Sequence, residues 1–274
     1  MNHEKAIVIL ACYNERDNIE RLINEITTVD AGLNLVVIDD NSPDGTGEVV
    51  DEMRKSLPNL DVIHRPGKLG LGTAYLAGFR YALDNGCDLA ITMDADFSHQ
   101  PKYLPTLLEL SKNADLVIGS RYVAGGGASG WPLRRKIVSG FANNLVHFVL
   151  DISAHDCTSG FRCYRREALE TIRPESIQSS GYSFLVEILY RAEKHGLRVA
   201  EMPIIFVDRE AGVSKINRNE VYKTLGTLGR LRFPVLPWNG ISRLSARYGE
   251  PSLLVLGIMM CVGSFWLLRR RKSG

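Results

Sequence analysis

Two carboxylates lie two residues apart in Asp94-Ala95-Asp96, directly after the apolar run 89–93. A short apolar run of this kind predicts a buried strand, which places both carboxylates at its C-terminal end. Carboxylate oxygens are the ligands that Mg²⁺ and Mn²⁺ prefer, and such an ion readily bridges protein to phosphate. A nucleoside diphosphate attached to a leaving group is the natural third partner. Because an isolated Asp-X-Asp is also common in plain turns, the neighbouring residues must decide between the two interpretations.

Two other predicted strands end in groups that suit a nucleotide. The strand near 34–38 ends in Asp39 and Asp40. Successive residues of a strand point to opposite faces, so only one of these carboxylates can face a shared ligand, and we expect Asp40 to lie near the base or ribose. The first strand is followed by the aromatic ring of Tyr13 and the carboxylate of Glu15. Three strand ends with such groups favour a ligand site over coincidence.

These groups require a sheet to position them, and the hydrophobic pattern predicts one. The strands lie near residues 6–11, 34–38, 60–64, 88–93 and 115–119, and the helices near 18–29, 46–57, 72–85 and 101–112. Alternating strands and helices predict βαβ units on a mostly parallel sheet, and so an α/β fold. In open sheets of this class, ligands bind at the C-terminal edge of the strands.

The glycine pattern argues against two common classes of nucleotide-binding protein. The segment that begins at Gly70 and Gly72 starts like the dinucleotide fingerprint, but Tyr75 stands where the third glycine is required. No Gly-x4-Gly-Lys-Ser/Thr segment occurs anywhere in the sequence. A dehydrogenase and a P-loop NTPase are therefore both disfavoured.

Charge and cysteine content narrow the class further. Residues 1–119 hold 10 Lys/Arg against 19 Asp/Glu, whereas residues 120–274 hold 23 against 12. The acidic half suits metal-assisted nucleotide binding, and the basic half suits a phosphate-bearing acceptor, a membrane surface or a nucleic acid. The five cysteines show no Cys-x-x-Cys spacing, which predicts reduced thiols. The N-terminal apolar stretch reads as a strand and not as a signal peptide, so we expect the catalytic part to face the cytosol.

Several segments together resemble the dolichol-phosphate (polyprenol-phosphate) mannose synthases, which are inverting glycosyltransferases of family 2 with a GT-A fold. The segments are Tyr13-Asn14-Glu15, Asp39-Asp40-Asn41-Ser42-Pro43-Asp44-Gly45-Thr46, Leu69-Gly70-Leu71-Gly72-Thr73-Ala74-Tyr75, Met93-Asp94-Ala95-Asp96, Gly119-Ser120-Arg121-Tyr122, Gly130-Trp131-Pro132, Thr158-Ser159-Gly160-Phe161-Arg162 and Phe206-Val207-Asp208-Arg209. The similarity runs from about residue 5 to about residue 230. It implies transfer of mannose from GDP-mannose to a polyprenyl phosphate such as dolichyl phosphate, which gives a β-linked product. It implies no nucleic-acid partner.

The resemblance also assigns roles to residues. It implies that the nucleotide is bound by Ala11, Tyr13, Glu15, Asp40, Asp94 and Ala95. It implies that the Mg²⁺ or Mn²⁺ ion is bound by Asp94 and Asp96, and that the catalytic residues are Asp96, Arg121, Arg135 and Arg209. Some relatives carry a further metal ligand, Gln, where this chain has Ser98, and many have Pro in place of Ala11. A lipid monophosphate with a second pKa of about 6 is already a nucleophile near neutral pH, so no general base is required. The three arginines would bind phosphate, with Arg121 and Arg135 holding the acceptor in line with the anomeric carbon.

The second half of the chain suggests contact with a membrane. Basic residues accompany two apolar helical stretches, Ile137–Leu150 and Asn219–Phe233, which can lie in the headgroup region or cover the back of the sheet. The uncharged run Ser252–Leu268 is near the lower limit for a single transmembrane helix and precedes four cations at 269–272. We therefore expect a catalytic domain at 1–233, an interfacial linker at 234–251 and a membrane anchor with a basic tail at 252–274. A simple span would carry the cations outside, against the positive-inside tendency, so a tilted or re-entrant helix is the alternative.

Two alternatives remain open at the level of sequence. The first is transfer of glucose or another sugar from a different nucleotide sugar to the same class of lipid. The second is a non-catalytic adaptor that binds a lipid phosphate or a nucleotide. Intact Asp94, Asp96 and Arg121 favour the enzyme.

Overall fold

The computed structural model describes residues 4–208 and 218–233. Its strands are β1 (Ala6–Cys12), β2 (Asn34–Asp39), β3 (Leu60–His64), β4 (Leu89–Asp94), β5 (Leu116–Ser120), β6 (Gly127–Ser129), β7 (Arg162–Arg165), β8 (Val199–Pro203) and β9 (Ile205–Val207). Seven of them form the main sheet in the order β3-β2-β1-β4-β7-β5-β8, in which β7 alone runs antiparallel to its neighbours. The strands β6 and β9 pair in a small second sheet.

The helices are α1 (Arg16–Val29), α2 (Thr46–Met53), α3 (Leu71–Asp84), α4 (Leu104–Ser111), α5 (Leu133–Leu150), α6 (Arg166–Ile172), α7 (Tyr182–Lys194) and α8 (Arg218–Arg232), with 3-10 turns at Pro101–Tyr103 and Pro174–Ser176. The first five predicted strands and the helices between them are confirmed, most of them to within two residues. Helix α2 is shorter than predicted, because the chain turns at 54–56 before the strand β3.

Alternating side chains of the central strands fill two hydrophobic cores. On β1, Ile7 and Ile9 pack toward α3 and α7, whereas Val8 and Leu10 pack toward α1 and α4. Burial on both faces is what a mostly parallel sheet covered by helices requires. Helix α3 approaches β1 so closely that a Cβ on Gly78 would lie 2.3 Å from Cγ2 of Ile9. A small residue at this point sets the distance between helix and sheet.

The topology places a crevice at the C-terminal ends of β1 and β4. The chain proceeds from β1 outward to β2 and β3, and then returns to add β4 on the other side of β1. This change of direction is a topological switch point, where ligands bind in open α/β sheets. Ala11 on β1 and Asp94 on β4 are paired residues there. The sheet therefore brings two of the predicted site residues together.

The strand β7 was not predicted. It has only four residues, two of them arginines, so it lacks the apolar alternation by which a strand is recognised in a sequence. It nevertheless lies in the middle of the sheet, between β4 and β5. Its first residue, Arg162, is fully buried and donates hydrogen bonds to the carbonyl oxygens of Ser159, Leu185 and Cys157 at 2.7, 2.8 and 2.9 Å. These bonds hold the loop that precedes β7.

Helix α8 agrees with the predicted helical stretch at 219–233. Within residues 4–208 and 218–233, no helix combines the length and apolar character that crossing a bilayer demands. The predicted linker at 234–251 and anchor at 252–274 lie outside the described residues, so the domain boundaries remain predictions.

Candidate active site

Asp94 ends β4 with its side chain 28% exposed at the crevice. The hydroxyl of Tyr75, on α3, donates a hydrogen bond to Oδ1 of Asp94 at 3.3 Å. Gly160 lies against both groups, since a Cβ there would be 3.3 Å from the Tyr75 hydroxyl and 3.4 Å from Asp94 Oδ1. The Asp94 carboxylate is thus fixed by a tyrosine on one side and a closely approaching backbone on the other.

The loop after β4 turns tightly and buries Asp96. The backbone N–H of Ser98 donates to Oδ1 of Asp96 at 3.1 Å, and the Ser98 hydroxyl donates to the same oxygen. Phe97 adopts a left-handed backbone with φ of 61°, an uncommon conformation for a bulky residue. Ser98, which stands where some relatives carry a metal-binding Gln, therefore orients the Asp96 carboxylate.

His99 contacts Asp94, the last residue of β4, and the ring of Phe161. Its Nδ1 accepts a hydrogen bond from the backbone N–H of Asp94 at 3.1 Å, and its ring stacks on Phe161 with centroids 5.1 Å apart. Burial lowers the pKa of the His99 imidazole and outweighs the opposite effect of the nearby carboxylates. His99 therefore holds the backbone at the end of β4 through this hydrogen bond.

The donor set suits a hard divalent cation. Within the described part of the chain, His, Cys, Asp and Glu side chains form no cluster of three or more that could enclose a metal ion. Mg²⁺ usually binds to one or two carboxylates and takes its remaining ligands from water and substrate phosphates. The carboxylates of Asp94 and Asp96 at the end of β4 fit this kind of site.

The nucleotide side of the crevice is built by the loops after β1 and β2, which are hydrogen-bonded to each other. The backbone N–H of Asn14 donates to the Ser42 hydroxyl, and that of Glu15 donates to the Thr46 hydroxyl, each at 3.0 Å. The carboxylate of Glu15 also accepts a hydrogen bond from Asn18 at 3.0 Å, at the start of α1. These bonds fix the position of the predicted nucleotide-binding segment.

Two more predicted nucleotide-binding residues contact the loop after β3. The ammonium group of Lys68 lies 4.0 Å from the centroid of the Tyr13 ring. The buried Asp40 carboxylate pairs with Arg65 at 2.6 Å and accepts hydrogen bonds from the N–H groups of Leu69 and Gly70 at 3.1 and 3.3 Å. Asp40 thus shapes the loop beside the crevice, and its predicted contact with the base or ribose remains a prediction.

Arg121 follows β5 and is held by a buried carboxylate. Its Nε and Nη2 donate to Asp156 at 2.8 and 2.7 Å, and Nη2 also donates to the Thr158 hydroxyl at 2.8 Å. The Arg121 side chain is 10% exposed and that of Asp156 is fully buried. Burial alone would raise the pKa of Asp156, but the charge and hydrogen bonds of Arg121 outweigh it and hold that pKa below its usual range. This is a permanent ion pair and not a surface contact.

Arg135, in the first turn of α5, is more open. Its Nη1 donates to Asp208 at 2.8 Å, with the two side chains 27% and 36% exposed. The guanidinium lies 4.1 Å from the centroid of the Trp131 ring. Among the described residues, Nε of Arg135 and Nε1 of Trp131 are buried without a hydrogen-bond partner. Arg209 lies outside the described residues.

Strand β9 joins the arginine side of the site to the metal side. The N–H of Val207 donates to the carbonyl oxygen of Ser98 at 3.2 Å. The ring of Phe206 lies 5.4 Å from the His99 ring and 5.4 Å from the Trp131 ring, and 5.6 Å from the guanidinium of Arg121. A groove of about 340 Å³ runs beside this junction; its lining includes Asp96, Gln100, Lys102 and Asp208. The predicted metal loop is thus connected through β9 to Arg121 and Arg135, two of the three predicted phosphate-binding arginines.

Comparison with known proteins identifies the family. The family model described as Glycosyl transferase family 2 matches residues 7–173, more than half of the chain. The chain belongs to glycosyl transferase family 2. The prediction that the protein is a glycosyltransferase is therefore confirmed.

Curated relatives of this family 2 chain confirm the more specific resemblance. It is 40% identical over 248 residues to the polyprenol monophosphomannose synthase of Mycolicibacterium smegmatis, covering 90% of this chain and 91% of the relative. It is 39% identical over 248 residues to the undecaprenyl-phosphate mannosyltransferase of Micrococcus luteus, covering 89% and 99%. The resemblance to polyprenol-phosphate mannose synthases thus extends over most of both chains.

Solved structures of more distant proteins show the same fold. The glucosyl-3-phosphoglycerate synthase of Mycobacterium tuberculosis, in complex with Mn²⁺, UDP and glucosyl-3-phosphoglycerate, is 20% identical and superposes with a TM-score of 0.61 over 83% of this chain and 80% of its own. A mannosyltransferase of Pyrobaculum calidifontis, in complex with GDP-Man and Mn²⁺, is 16% identical with a TM-score of 0.55 over 98% and 81%. The expected GT-A-like α/β fold with a mostly parallel sheet is confirmed.

Several residues of the site were not assigned a role from sequence. Asp156 lies 35 residues from Arg121, and Glu201 accepts the N–H of Asp156 at 2.9 Å from another 45 residues away. Tyr75 was noted only as a departure from a glycine pattern. A signal for Asp156 was present, because it stands two residues before the Thr158–Arg162 segment that carries the resemblance.

Proposed function

We propose that the protein transfers mannose from GDP-mannose to a polyprenyl phosphate with inversion, giving polyprenyl-phosphate β-mannose. The observation that carries the proposal is the joining of Asp94 and Asp96 to Arg121 and Arg135 in one site, in a chain 40% identical to a polyprenol monophosphomannose synthase. The GDP-Man complex of the similarly folded mannosyltransferase supports the choice of donor.

The donor would lie across the crevice at the ends of β1, β2 and β4. Tyr13 and Glu15 stand on the nucleotide side, and Asp94 and Asp96 on the diphosphate side, where they would hold Mg²⁺ or Mn²⁺. A divalent ion bound there supplies Lewis-acid stabilisation of the departing diphosphate. Complexes of two similarly folded proteins with Mn²⁺ support such an ion.

The acceptor phosphate needs orientation and not activation. Near neutral pH it carries a nucleophilic oxyanion, since its second pKa is about 6. Arg121 and Arg135 would bind this phosphate and align its oxygen with the anomeric carbon. Direct attack on the side opposite the leaving diphosphate inverts the anomeric centre, which predicts a β-linked product. The buried ring of Trp131 and the partly buried ring of Phe206 would exclude water from the same place, which disfavours hydrolysis of the donor.

A panel of labelled nucleotide sugars tests the donor. Purified full-length protein in detergent is incubated with undecaprenyl phosphate, Mn²⁺ and labelled GDP-mannose, UDP-glucose or UDP-GlcNAc, and label is extracted into organic solvent. We expect label only from GDP-mannose and, in the product, cleavage by a β-mannosidase. Label from UDP-glucose would instead establish the alternative sugar, and binding without transfer from any donor would establish the adaptor. The Asp94→Asn variant serves as the control for metal-dependent transfer.

The proposed acceptor implies a membrane location, and α5 supports one. Among the described residues, five of the eight exposed large apolar side chains lie on this helix: Leu133, Ile137, Val138, Phe141 and Phe148. Exposed Arg134 and Lys136 flank them and suit anionic headgroups. We expect the protein to lie on the cytosolic side of the bilayer. In vesicle co-sedimentation, Phe141→Ser should bind less than the control Val29→Ser, and equal binding would exclude α5 as the contact.

The orientation and the tail are tested separately. Protease or labelling access to a C-terminal tag on sealed vesicles measures on which side of the bilayer residues 269–272 lie. Access only from the cytosolic side would exclude a simple single span. Deletion of 251–274 should release the protein only in part, because α5 and the lipid site remain. Full solubility of the intact protein without detergent would contradict the membrane location.

A further inference from the structure

Two aspartate–arginine clamps with the same hydrogen bonds lie at opposite ends of β5. Before the strand, Asp115 accepts the backbone N–H, Nε and Nη2 of Arg198 at 2.8, 3.1 and 2.8 Å. After the strand, Asp156 accepts the backbone N–H, Nε and Nη2 of Arg121 at 3.0, 2.8 and 2.7 Å. The Arg198 side chain is 64% exposed and the Arg121 side chain 10%. The Asp156–Arg121 clamp therefore differs from the Asp115–Arg198 clamp in the burial of its arginine and not in its hydrogen-bond pattern.

Asp156 is itself held from several directions. Its Oδ1 accepts the N–H groups of Thr158 and Ser159 at 3.3 and 3.0 Å, and its own N–H donates to Glu201 at 2.9 Å. On either side of it, Asn143 of α5 bonds the carbonyl oxygen of His155 and the N–H of Cys157. These hydrogen bonds hold the Asp156 carboxylate in one position. They therefore also hold Arg121, which is bonded to it, in one position.

The clamp decides which part of the Arg121 guanidinium remains for a ligand. Nε and both hydrogens of Nη2 are taken by Asp156 and Thr158. Within the part of the chain that the structure describes, Nη1 has no hydrogen-bond partner. The rings of Trp131 and Phe206 each lie 5.6 Å from the guanidinium carbon. Arg121 therefore presents one nitrogen, with two N–H donors, in a largely apolar surrounding.

We propose that Asp156 is a positioning residue for the acceptor: it fixes Arg121 so that Nη1 meets the phosphate of the lipid. This inference rests on the proposed function of the site. Without the clamp, Arg121 would rotate among several rotamers, and each phosphate-binding event would have to order it again. The carboxylate also neutralises most of the arginine's charge, so recognition depends on the direction of the donors more than on net attraction.

The test compares Asp156→Asn with Asp115→Asn, which disrupts the equivalent clamp at the far end of β5. Initial rates are measured in detergent with undecaprenyl phosphate varied at saturating GDP-mannose. A second series varies GDP-mannose at saturating undecaprenyl phosphate. We expect Asp156→Asn to raise KM for the lipid phosphate about tenfold, the ratio given by loss of one charge-assisted hydrogen bond, and to change KM for GDP-mannose less than about twofold. Asp115→Asn should leave both KM values unchanged.

A double-mutant cycle with Arg121→Lys separates positioning from a structural role. If Asp156 acts through Arg121, Asp156→Asn adds little to KM for the lipid phosphate in the Arg121→Lys background. Equal changes in both KM values, or full additivity, would overturn the inference. If Asp156→Asn does not fold, Glu201→Gln replaces it, because Glu201 accepts the backbone N–H of Asp156. Glu201→Gln should raise KM for the lipid phosphate by a smaller factor. An unchanged KM in this variant would also overturn the inference. Lack of transfer by the wild-type protein would contradict the proposed function instead.

Discussion

Replacement of Arg135 by alanine should weaken binding of the acceptor far more than binding of the donor. Within the described residues, the Arg135 side chain donates one hydrogen bond, to the partly exposed Asp208, and its guanidinium lies on Trp131. Alanine is a better helix former than arginine, so α5 loses nothing by the change. Asp208 is exposed enough to be hydrated when its partner is removed. The cost therefore falls on phosphate binding and not on the fold.

The size of the effect follows from the bonds that are lost. A hydrogen bond between two charged groups contributes about 1.5–3 kcal/mol, which corresponds to about a 10- to 150-fold rise in KM for the lipid phosphate. We expect KM for GDP-mannose to change less than about threefold, since Arg135 lies on the arginine side of the site. Lysine at 135 should give an intermediate KM, because it keeps the charge but not the planar fork.

The assay measures initial rates in detergent micelles, where the membrane surface has no part. Arg134→Ala is the matched control, because Arg134 has the same charge one position earlier on α5 and is exposed. It should leave both KM values unchanged. Equal increases in KM for both substrates, or an Arg134→Ala variant as impaired as Arg135→Ala, would refute the reasoning.

Three further changes test the metal loop, the packing and the electrostatics. Asp96→Ala should abolish transfer, with a midpoint of thermal unfolding close to that of the wild type; near-normal turnover would remove Asp96 from the site. Gly78→Ala should lower the free energy of unfolding by about 1–3 kcal/mol, because the new Cβ would lie 2.3 Å from Ile9, whereas Gly140→Ala on α5, with open space around it, should not; denaturant titration compares the two. Burial would raise the pKa of Glu187, but hydrogen bonds from two arginines and a serine lower it, so its contribution to stability is present above about pH 4.3 and is lost as pH falls through the folded-state pKa. The difference in unfolding free energy between wild type and Glu187→Gln should therefore shrink on acidification, and a constant difference would contradict this.

The sequence predicted the part of the fold that local periodicity controls. The five strands from β1 to β5 and the end of β4 at Asp94 could be located because apolar runs and turn residues are local signals. The antiparallel strand β7 could not, because two of its four residues are arginines, and the buried Arg162 depends on carbonyl groups that include that of Leu185, 23 residues away. Local pattern does not determine such partners.

In the candidate site, too, some residues could be identified from the sequence and others could not. The resemblance singled out Asp94, Asp96, Arg121 and Arg135 by residue type and position. Their partners were not assigned, since Arg121 meets Asp156 across 35 residues and Arg135 meets Asp208 across 73. Such pairs depend on how segments far apart in the chain fold together, which no single segment of the sequence encodes.

The two clamps on β5 have a consequence for the motions of the sheet. A strand fastened by an arginine–aspartate pair at each end cannot fray from either terminus or slip in register without breaking one of the pairs. Opening of β5 is therefore coupled to opening of the neighbouring strands β7 and β8. In hydrogen–deuterium exchange, the amides of Val117 and Ile118 should belong to the slowest class, exchanging only when the whole sheet unfolds. Arg121, which we propose to bind the acceptor phosphate, would thus be attached to one of the last elements of the protein to open.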